Sequence, residues 1–506
     1  MSAKILDLET LGVRCDELRE EGKKIVLCHG TFDLIHIGHI RHLQKAREEG
    51  DVLVVTLTAD AFISKGPGRP IFNESLRLEN MAALEAVSYV GLVHEVTALP
   101  AIHAVKPHIY AKGSDYQKPA DDITGNIARE RDAVTQHGGR SICTDEITFS
   151  SSNLLNAHFS VFPPEVKDYL RLFGEGYAAE TIIDQIKGLS GLKVCVVGDA
   201  IIDEYNYTET LGQTGKGNVF AVKHKEAELF AGGSLAVANH IAGFCSDVTL
   251  LTGLGRKRSF ESFIQEKLKP SVKPVFFFRE DAPTIIKSRF VDPDGHKLFE
   301  VYHYEDSPPP QELDDAMCAW LDENLASFDV VIVPDFGNGF ITDGMVACLS
   351  EKARFLAVNT QINSGNRGYH TINRYSRADF VSLNEPELRL AVHNRYGPLE
   401  EVAHTVAERI GASHIATTRG TRGLILRDMR RRTSHEVPAL SMRVVDRIGA
   451  GDAFLSLAGI CLGGGLKADV AAFAGATAAA IDVGIVCNRE SIEPTQLFKY
   501  MVTLLK

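Results

Sequence analysis

The stretch KIVLCHGTFDLIHIGH, Lys24 to His39, decides how the first third of this 506-residue chain is read. Lys24-Ile-Val-Leu-Cys28 is a short apolar run of strand type, and an amphipathic stretch from Ile40 to Glu49 follows, so His29 to His39 fall at a strand-to-helix junction. Such a junction presents backbone N–H groups without intrahelical partners and the positive end of a helix dipole, where phosphate binds. His36 and His39 are three apart and share one side of the first turn, while Gly38 lets a nucleotide approach the backbone closely. Two imidazole donors would then meet one polyphosphate. An isolated H-x-G-H would as often be a pair of capping or core histidines; the preceding G-T-F-D and the βαβ setting favour the phosphate reading.

Working outward, Asp51-Val-Leu-Val-Val-Thr-Leu57 is a second strand-like run, and strand-like and helix-like runs alternate nearly throughout, which indicates α/β architecture with a largely parallel sheet. The length suggests two to four domains. The alternation pauses after Phe149-Ser-Ser-Ser-Asn-Leu-Leu155 and restarts at Leu192-Lys-Val-Cys-Val-Val-Gly198, which gives a first domain at 1–160, a connecting helix or linker at 161–190 and a second domain at 191–506. With 44% hydrophobic and 24% charged residues the chain can bury full cores, and its net charge of −12 argues against a nucleic-acid-coating surface. The nine cysteines form no C-x-x-C pair and read as core thiols in a reducing cytosol. The start Met1-Ser-Ala-Lys-Ile-Leu-Asp7 lacks a signal-peptide run, and the apolar stretch Ala453 to Ile485 is broken at Gly463-Gly-Gly-Leu-Lys-Ala-Asp469. Two buried Ala/Gly-rich helices are expected there instead of a membrane span, in a soluble cytoplasmic protein without membrane or nucleic-acid partners.

The motif G-T-F-D-x-x-H-x-G-H resembles the cytidylyltransferase-like branch of the nucleotidyltransferase superfamily. Lys65-Gly-Pro-Gly-Arg-Pro70, Arg77, Ala111-Lys-Gly-Ser-Asp-Tyr116 and Phe149-Ser-Ser-Ser-Asn153 follow in the family's order, so the resemblance covers residues 23–158. It is especially close to the adenylyltransferase half of the bifunctional heptose-7-phosphate kinase/heptose-1-phosphate adenylyltransferases. In nucleotidyl transfer a phosphate oxygen attacks the α-phosphate of a nucleoside triphosphate and pyrophosphate leaves, so position and positive charge are the protein's main contributions. The resemblance implies a Rossmann-like nucleotidyltransferase domain in which His36 and His39 are catalytic. It further implies nucleotide or phosphate binding by Gly30, Thr31, Phe32, Lys65, Arg77, Ser150, Ser151 and Ser152, and substrate binding by Asp33, Lys112 and Asp115.

Near the other end stands Val445-Asp-Arg-Ile-Gly-Ala-Gly-Asp-Ala-Phe454, followed by a small-residue helix. Gly449, Ala450 and Gly451 can turn their amides inward at the helix start, and Asp452 sits where a carboxylate can meet an attacking hydroxyl. This half, residues 192–490, resembles the ribokinase-like (PfkB) sugar kinases and implies a ribokinase-like α/β domain. By that resemblance Asp199, Asp203, Gly232, Gly233 and Asn239 bind sugar, and Asp452 is catalytic. Asn384, Glu385, Thr418, Gly420, Gly423 and Asp446 stand, with Gly449 to Gly451, on the nucleotide and anion side, and Glu385 orients magnesium indirectly. Lys287 and Arg289 are two apart on a probable strand and so share a face, a clamp for a second phosphate on the sugar. The family's G-G-A-A-N is Gly232-Gly-Ser-Leu-Ala236 here, so an Asn that binds sugar hydroxyls is missing, and Asn239 lies one helical turn later. The domain order is the reverse of the heptose enzyme's.

Together the resemblances imply a bifunctional enzyme that makes a nucleotide-activated sugar from a sugar phosphate, ATP and Mg²⁺, assembled as a homo-oligomer. Two other readings remain open on the residues. One is a CTP-dependent cytidylyltransferase for glycerol phosphate or another polyol phosphate with an attached sugar kinase; in the other the kinase-like half is a non-catalytic assembly domain.

Overall fold

The computed structural model describes residues 3–63, 69–113, 126–144, 162–366 and 368–505. The chain divides into two compact units, residues 1–163 with 498–506, and residues 164–497.

In the first unit the strands are β1 (Ile25–Gly30), β2 (Val52–Thr58), β3 (Tyr89–Val93), β4 (Ile109–Gly113) and β5 (Arg140–Thr144). They form one parallel sheet in the order β3-β2-β1-β4-β5. All seven residues of β2 are buried, the near-continuous apolar run that a sheet covered on both faces requires. One face packs against Leu11, Cys15, Ile102, Val105 and Val134, from helices Leu8–Glu20, Leu99–Val105 and Asn126–Gln136. The other packs against Leu43, Ala46, Met81 and Ala82, from helices Ile37–Glu48 and Glu74–Ala82. The strand order reverses between β1 and β4, so the crevice at the carboxyl end of β1 is where such a sheet binds ligands. The quoted motif occupies that end.

The second unit holds β6 (Lys193–Val197), β7 (Ala200–Gln213), β8 (Phe220–Gly233), β9 (Asp247–Gly255), β10 (Val272–Arg279), β11 (Ile285–Val291), β12 (Lys297–His303) and β13 (Val330–Asp335). It continues with β14 (Leu356–Thr360), β15 (Phe380–Asn384), β16 (His414–Thr418), β17 (Leu424–Asp428) and β18 (Thr433–Val437). A nine-stranded sheet runs β10-β9-β6-β13-β14-β15-β16-β17-β18, parallel until its last two strands. Its order reverses between β6 and β13, which brings the following Asp199 and the terminal Asp335 to one crevice. A separate four-stranded sheet, β12-β11-β7-β8, is mixed and was not foreseen in the sequence.

Helices Pro164–Gly176 and Ala179–Lys187 belong to this second unit, and the latter buries Ile182, Ile183 and Ile186. The apolar stretch near the end forms helices Ala450–Gly463 and Ala468–Asp482, both buried along most of their length. Among the described residues no helix is long and apolar enough to cross a membrane. All nine cysteines are unpaired; Cys15, Cys28, Cys195, Cys245, Cys461 and Cys487 are buried.

Candidate functional sites

At the end of β1 the chain turns through Phe32, whose φ of 46° is left-handed, and enters the helix with His36 as its N-cap. His36 Nδ1 accepts from Gly38 N at 3.1 Å, so the neutral ring carries its proton on Nε2, which makes no hydrogen bond among the described residues. Burial holds the His36 pKa below the usual imidazole range and so favours that neutral form. The ring stacks on His39 with centroids 3.9 Å apart, and His39 meets Phe32 edge-on at 5.3 Å. The helix start therefore presents the two imidazoles as one block.

Two further candidates are engaged in holding this junction together. Arg77 is fully buried: Nε donates to Phe72 O (3.0 Å), Nη1 to Thr31 O (2.7 Å), and Nη2 to Thr58 O (2.9 Å) and Asp60 Oδ1 (2.5 Å). It braces the carbonyl of Thr31 instead of facing a phosphate. Arg77→Met strips three carbonyls and a carboxylate of their donor and should cost the first unit about 3–5 kcal/mol, read from its urea unfolding midpoint. Asp33, also buried, accepts from Ile71 N (2.7 Å) and Phe72 N (3.1 Å) and pairs with Arg69 at 3.3 Å. Its oxygens fix the 69–72 turn, so they are not turned to a substrate hydroxyl.

Lys112, at the end of β4, pairs with the buried Glu130 at 3.1 Å, and Glu130 also accepts from Tyr110 Oη at 2.9 Å. The sequence reading missed His29, the next residue of β1 after Cys28. Its nitrogens meet Thr56 Oγ1 (2.9 Å) and Thr58 Oγ1 (3.3 Å), and burial pushes its pKa down to about 3, so it stays neutral. Lys65, Asp115, Ser150, Ser151 and Ser152 lie outside the described residues.

In the second unit, Gly449 N-caps helix Ala450–Gly463 with φ 101°, a conformation that favours glycine, and Asp452 stands in the first turn. Burial, then Asp203 and Glu387, against the attraction of Lys287, push its carboxyl up to about 7. Asp199 is pushed up to about 6 by burial and by Asp335 across the crevice. Asp203 pairs with Arg289, which also reaches Glu300 at 3.1 Å. Lys287 and Arg289 share a face of β11, as their spacing predicts. Arg289 is consumed by its two carboxylates, whereas Lys287 makes no ion pair among the described residues and lies 5.5 Å and 5.7 Å from the ring centres of Tyr302 and Phe336.

The nucleotide side corrects the sequence reading at Glu385. That residue pairs with Arg389 (2.9 Å) and Arg422 (2.6 Å) beside a cavity of about 820 Å³, which Asn384, Thr418 and Gly420 also line. Two residues on, Glu387 is the carboxylate coupled to Asp452. Asn384 is an N-cap that accepts from Glu387 N, while Glu387 Oε2 accepts from Asn384 N (2.9 Å) and Oε1 from Ile362 N (3.2 Å). This capping box turns Glu387 inward, where burial pushes its carboxyl up to about 7; N-x-x-E was the signal in the sequence. Gly420 and Gly423 take φ 60° and 76° in the turn after β16.

Asp446 is saturated by Lys297 Nζ (2.8 Å), Tyr205 Oη (2.5 Å) and the amides of Arg447, Ile448 and Cys487, so it anchors the loop ahead of Gly449 and does not itself face an anion. Asn239 turns away altogether: its amide donates to Lys267 O and accepts from Lys269 N, both at 2.9 Å. Asp199, Asp203, Glu387 and Asp452 outnumber the nearby positive charge, and three of the four have raised pKa values. An excess of hard oxygen donors held against burial fits Mg²⁺ brought in with a nucleotide.

The cytidylyltransferase-like family matches residues 27–155, and the pfkB family of carbohydrate kinases matches residues 192–489, more than half of the chain. The chain belongs to the pfkB carbohydrate kinase family. The order of the two matches bears out the resemblance drawn from the motifs, a cytidylyltransferase-like segment followed by a kinase. In its N-terminal part this chain is 41% identical over 140 residues to the bifunctional protein HldE of Pelobacter propionicus, 27% of each chain. It is 38% identical over 160 residues to that of Geobacter metallireducens, 30% of this chain and 31% of the relative. The chain thus spans less than a third of the length of these curated relatives. Phosphofructokinase-2 of Escherichia coli in complex with potassium shares the fold, with a TM-score of 0.51 at 13% identity over 62% of this chain and 100% of that one.

Proposed function

We propose that the chain is a bifunctional enzyme of nucleotide-sugar synthesis, with a sugar-phosphate kinase in the second unit and a sugar-1-phosphate nucleotidyltransferase in the first. The observation that carries it is the pair of helix starts, each at the end of a parallel strand or a glycine turn, with His36 Nε2–H at one and the Asp452 carboxylate at the other. In the kinase step Asp452 takes the proton of the attacking sugar hydroxyl, a role suited to a carboxyl poised near neutrality. The amides of Gly449, Ala450 and Gly451 face the transferred phosphoryl group, and Lys287 meets the phosphate already on the sugar. Glu387 would hold Mg²⁺, which when bound would neutralise charge on the nucleotide phosphates. In the nucleotidyl step His36 and His39 donate to the oxygens of the α-phosphate as charge grows there.

A heptose and ATP are the preferred substrates, supported by the first unit's likeness to the heptose adenylyltransferases. Exposed apolar residues on the four-stranded sheet and its hairpin, among them Phe220 and Phe299, support a homo-oligomer, checked by sedimentation. The test of function is mass spectrometry of products. With Mg²⁺, heptose 1-phosphate and equal ATP and CTP, ADP-heptose is expected, and CDP-heptose would change the base alone. With heptose 7-phosphate and ATP, a heptose bisphosphate is expected. No product in either mixture rejects the heptose reading, and an absence of ATP turnover across a sugar panel rejects the kinase.

A further inference from the structure

Several buried polar atoms find no hydrogen-bond partner among the described residues, and four of them lie together in the second unit. Asn488 Oδ1, both carboxylate oxygens of Asp482 and His240 Nε2 have no hydrogen-bond partner among the described residues. Asp482 is wholly buried and His240 is 1% exposed. These atoms belong to one cluster: His240 Nε2 lies 3.9 Å from Asp482 Oδ1, and His240 Nδ1 accepts from Ile492 N, which leaves the proton on Nε2. Buried polar groups are nearly always satisfied, so four orphans together call for a missing partner.

Two glycines locate the cluster. A Cβ on Gly449 would stand 2.7 Å from both Asn488 Oδ1 and Asp482 Oδ2, directly beside the loop that leads to Asp452. A Cβ on Gly232 would collide with Asp203 Oδ2 and stand 3.5 Å from Asn488 Nδ2. The Asn488 amide therefore reaches from the anion loop to the double glycine, next to the Asp203 carboxylate. Its only hydrogen bond among the described residues is a 3.7 Å contact from Nδ2 to Cys487 Sγ. The helix that starts beside Gly233 carries Ala236, 3% exposed, where the resemblance calls for a sugar-binding Asn, and Asn239 is committed to the 267–269 turn.

We infer that Asn488, backed by Asp482 and His240, is the amide that binds the sugar's hydroxyls in place of the side chain missing at Ala236. The inference rests on reading the second unit as a sugar kinase. It makes sugar recognition depend on the loop after helix Ala468–Asp482, and it gives the half-buried Asn488 amide a partner in a hydroxyl of the bound sugar. A site built to hydrogen-bond a hydroxyl loses affinity steeply when its own polar group is removed.

The test is calorimetric titration of the full chain, without nucleotide, with heptose 7-phosphate, fructose 6-phosphate and ribose. Asn488→Ala should weaken the Kd of whichever sugar the parent protein binds by tenfold or more and leave the Kd for ATP within twofold. Adding Ala236→Asn to that variant should recover most of the loss. Asn488→Asp, isosteric but acidic beside Asp203, serves if the alanine variant does not fold, and should lose at least as much. Equal sugar Kd in the parent and either variant overturns the inference and leaves the kinase reading standing. If the parent binds none of the three sugars, both fall.

Discussion

Asp452→Asn should lower phosphoryl transfer by about 10³-fold, while raising the melting temperature of the second unit by several degrees at pH 8 and leaving nucleotidyl transfer unchanged. The rate loss is the size expected when a positioned general base is removed. The stability gain follows from linkage. The Asp452 carboxyl is raised from 3.8 to about 7 in the folded protein, so folding is favoured with the group protonated, an advantage complete below pH 3.8 and lost as pH rises through 7. At pH 8 the native protein holds an ionised carboxylate among Asp203 and Glu387 at a cost on the order of 2–4 kcal/mol, which Asn does not incur. The difference in melting temperature between the two proteins should narrow as pH falls toward 4. The same shift sets the rate profile: kcat/KM for the sugar should fall close to tenfold per pH unit below about 7. A variant that lost activity and stability together would mark Asp452 as structural, and a flat profile from pH 5 to 8 would remove it as the base.

His36→Asn is the second large effect expected. Asparagine is a strong N-cap and keeps the bond to the helix amides that His36 Nδ1 now accepts, yet it lacks the Nε2 donor. Nucleotidyl transfer, followed by pyrophosphate release, should drop 10²- to 10³-fold with the unfolding midpoint of the first unit nearly unchanged. His36→Ala should lose as much activity and about 1 kcal/mol of stability in addition. Phosphoryl transfer should be the same in all three proteins. Full pyrophosphate release by the Asn variant would mean that the ring serves the fold alone.

What could be read in the sequence was what lies close along the chain. The strand-to-helix junction at His29–His39 is legible because its strand, turn, cap and both histidines are contiguous, and the Gly449–Asp452 loop is legible for the same reason. Where two neighbours compete, spacing alone misled: Glu385 and Glu387 stand two apart, and only the capping box with Asn384 turns Glu387 toward Asp452. Arg77 and Asp33 sit correctly in the motif order, but their partners, the carbonyls of Thr31 and Thr58 and the amides of Ile71 and Phe72, are set by tertiary structure. Asn488 was invisible because its neighbour Gly232 is far away in sequence. The four-stranded sheet was missed because β12 is exposed through nearly all its length and so lacks the buried-face alternation that marks a strand.

The six buried cysteines give the protein an internal stability gauge. Burial raises the pKa of each thiol well above its usual range, so alkylating reagents should pass over them in the native state. Cys15 and Cys28 belong to the first unit, and Cys195, Cys245, Cys461 and Cys487 to the second. Peptide-resolved labelling with iodoacetamide across a urea series would thus record two opening curves from one unmodified chain, each reporting the unit whose thiols become accessible.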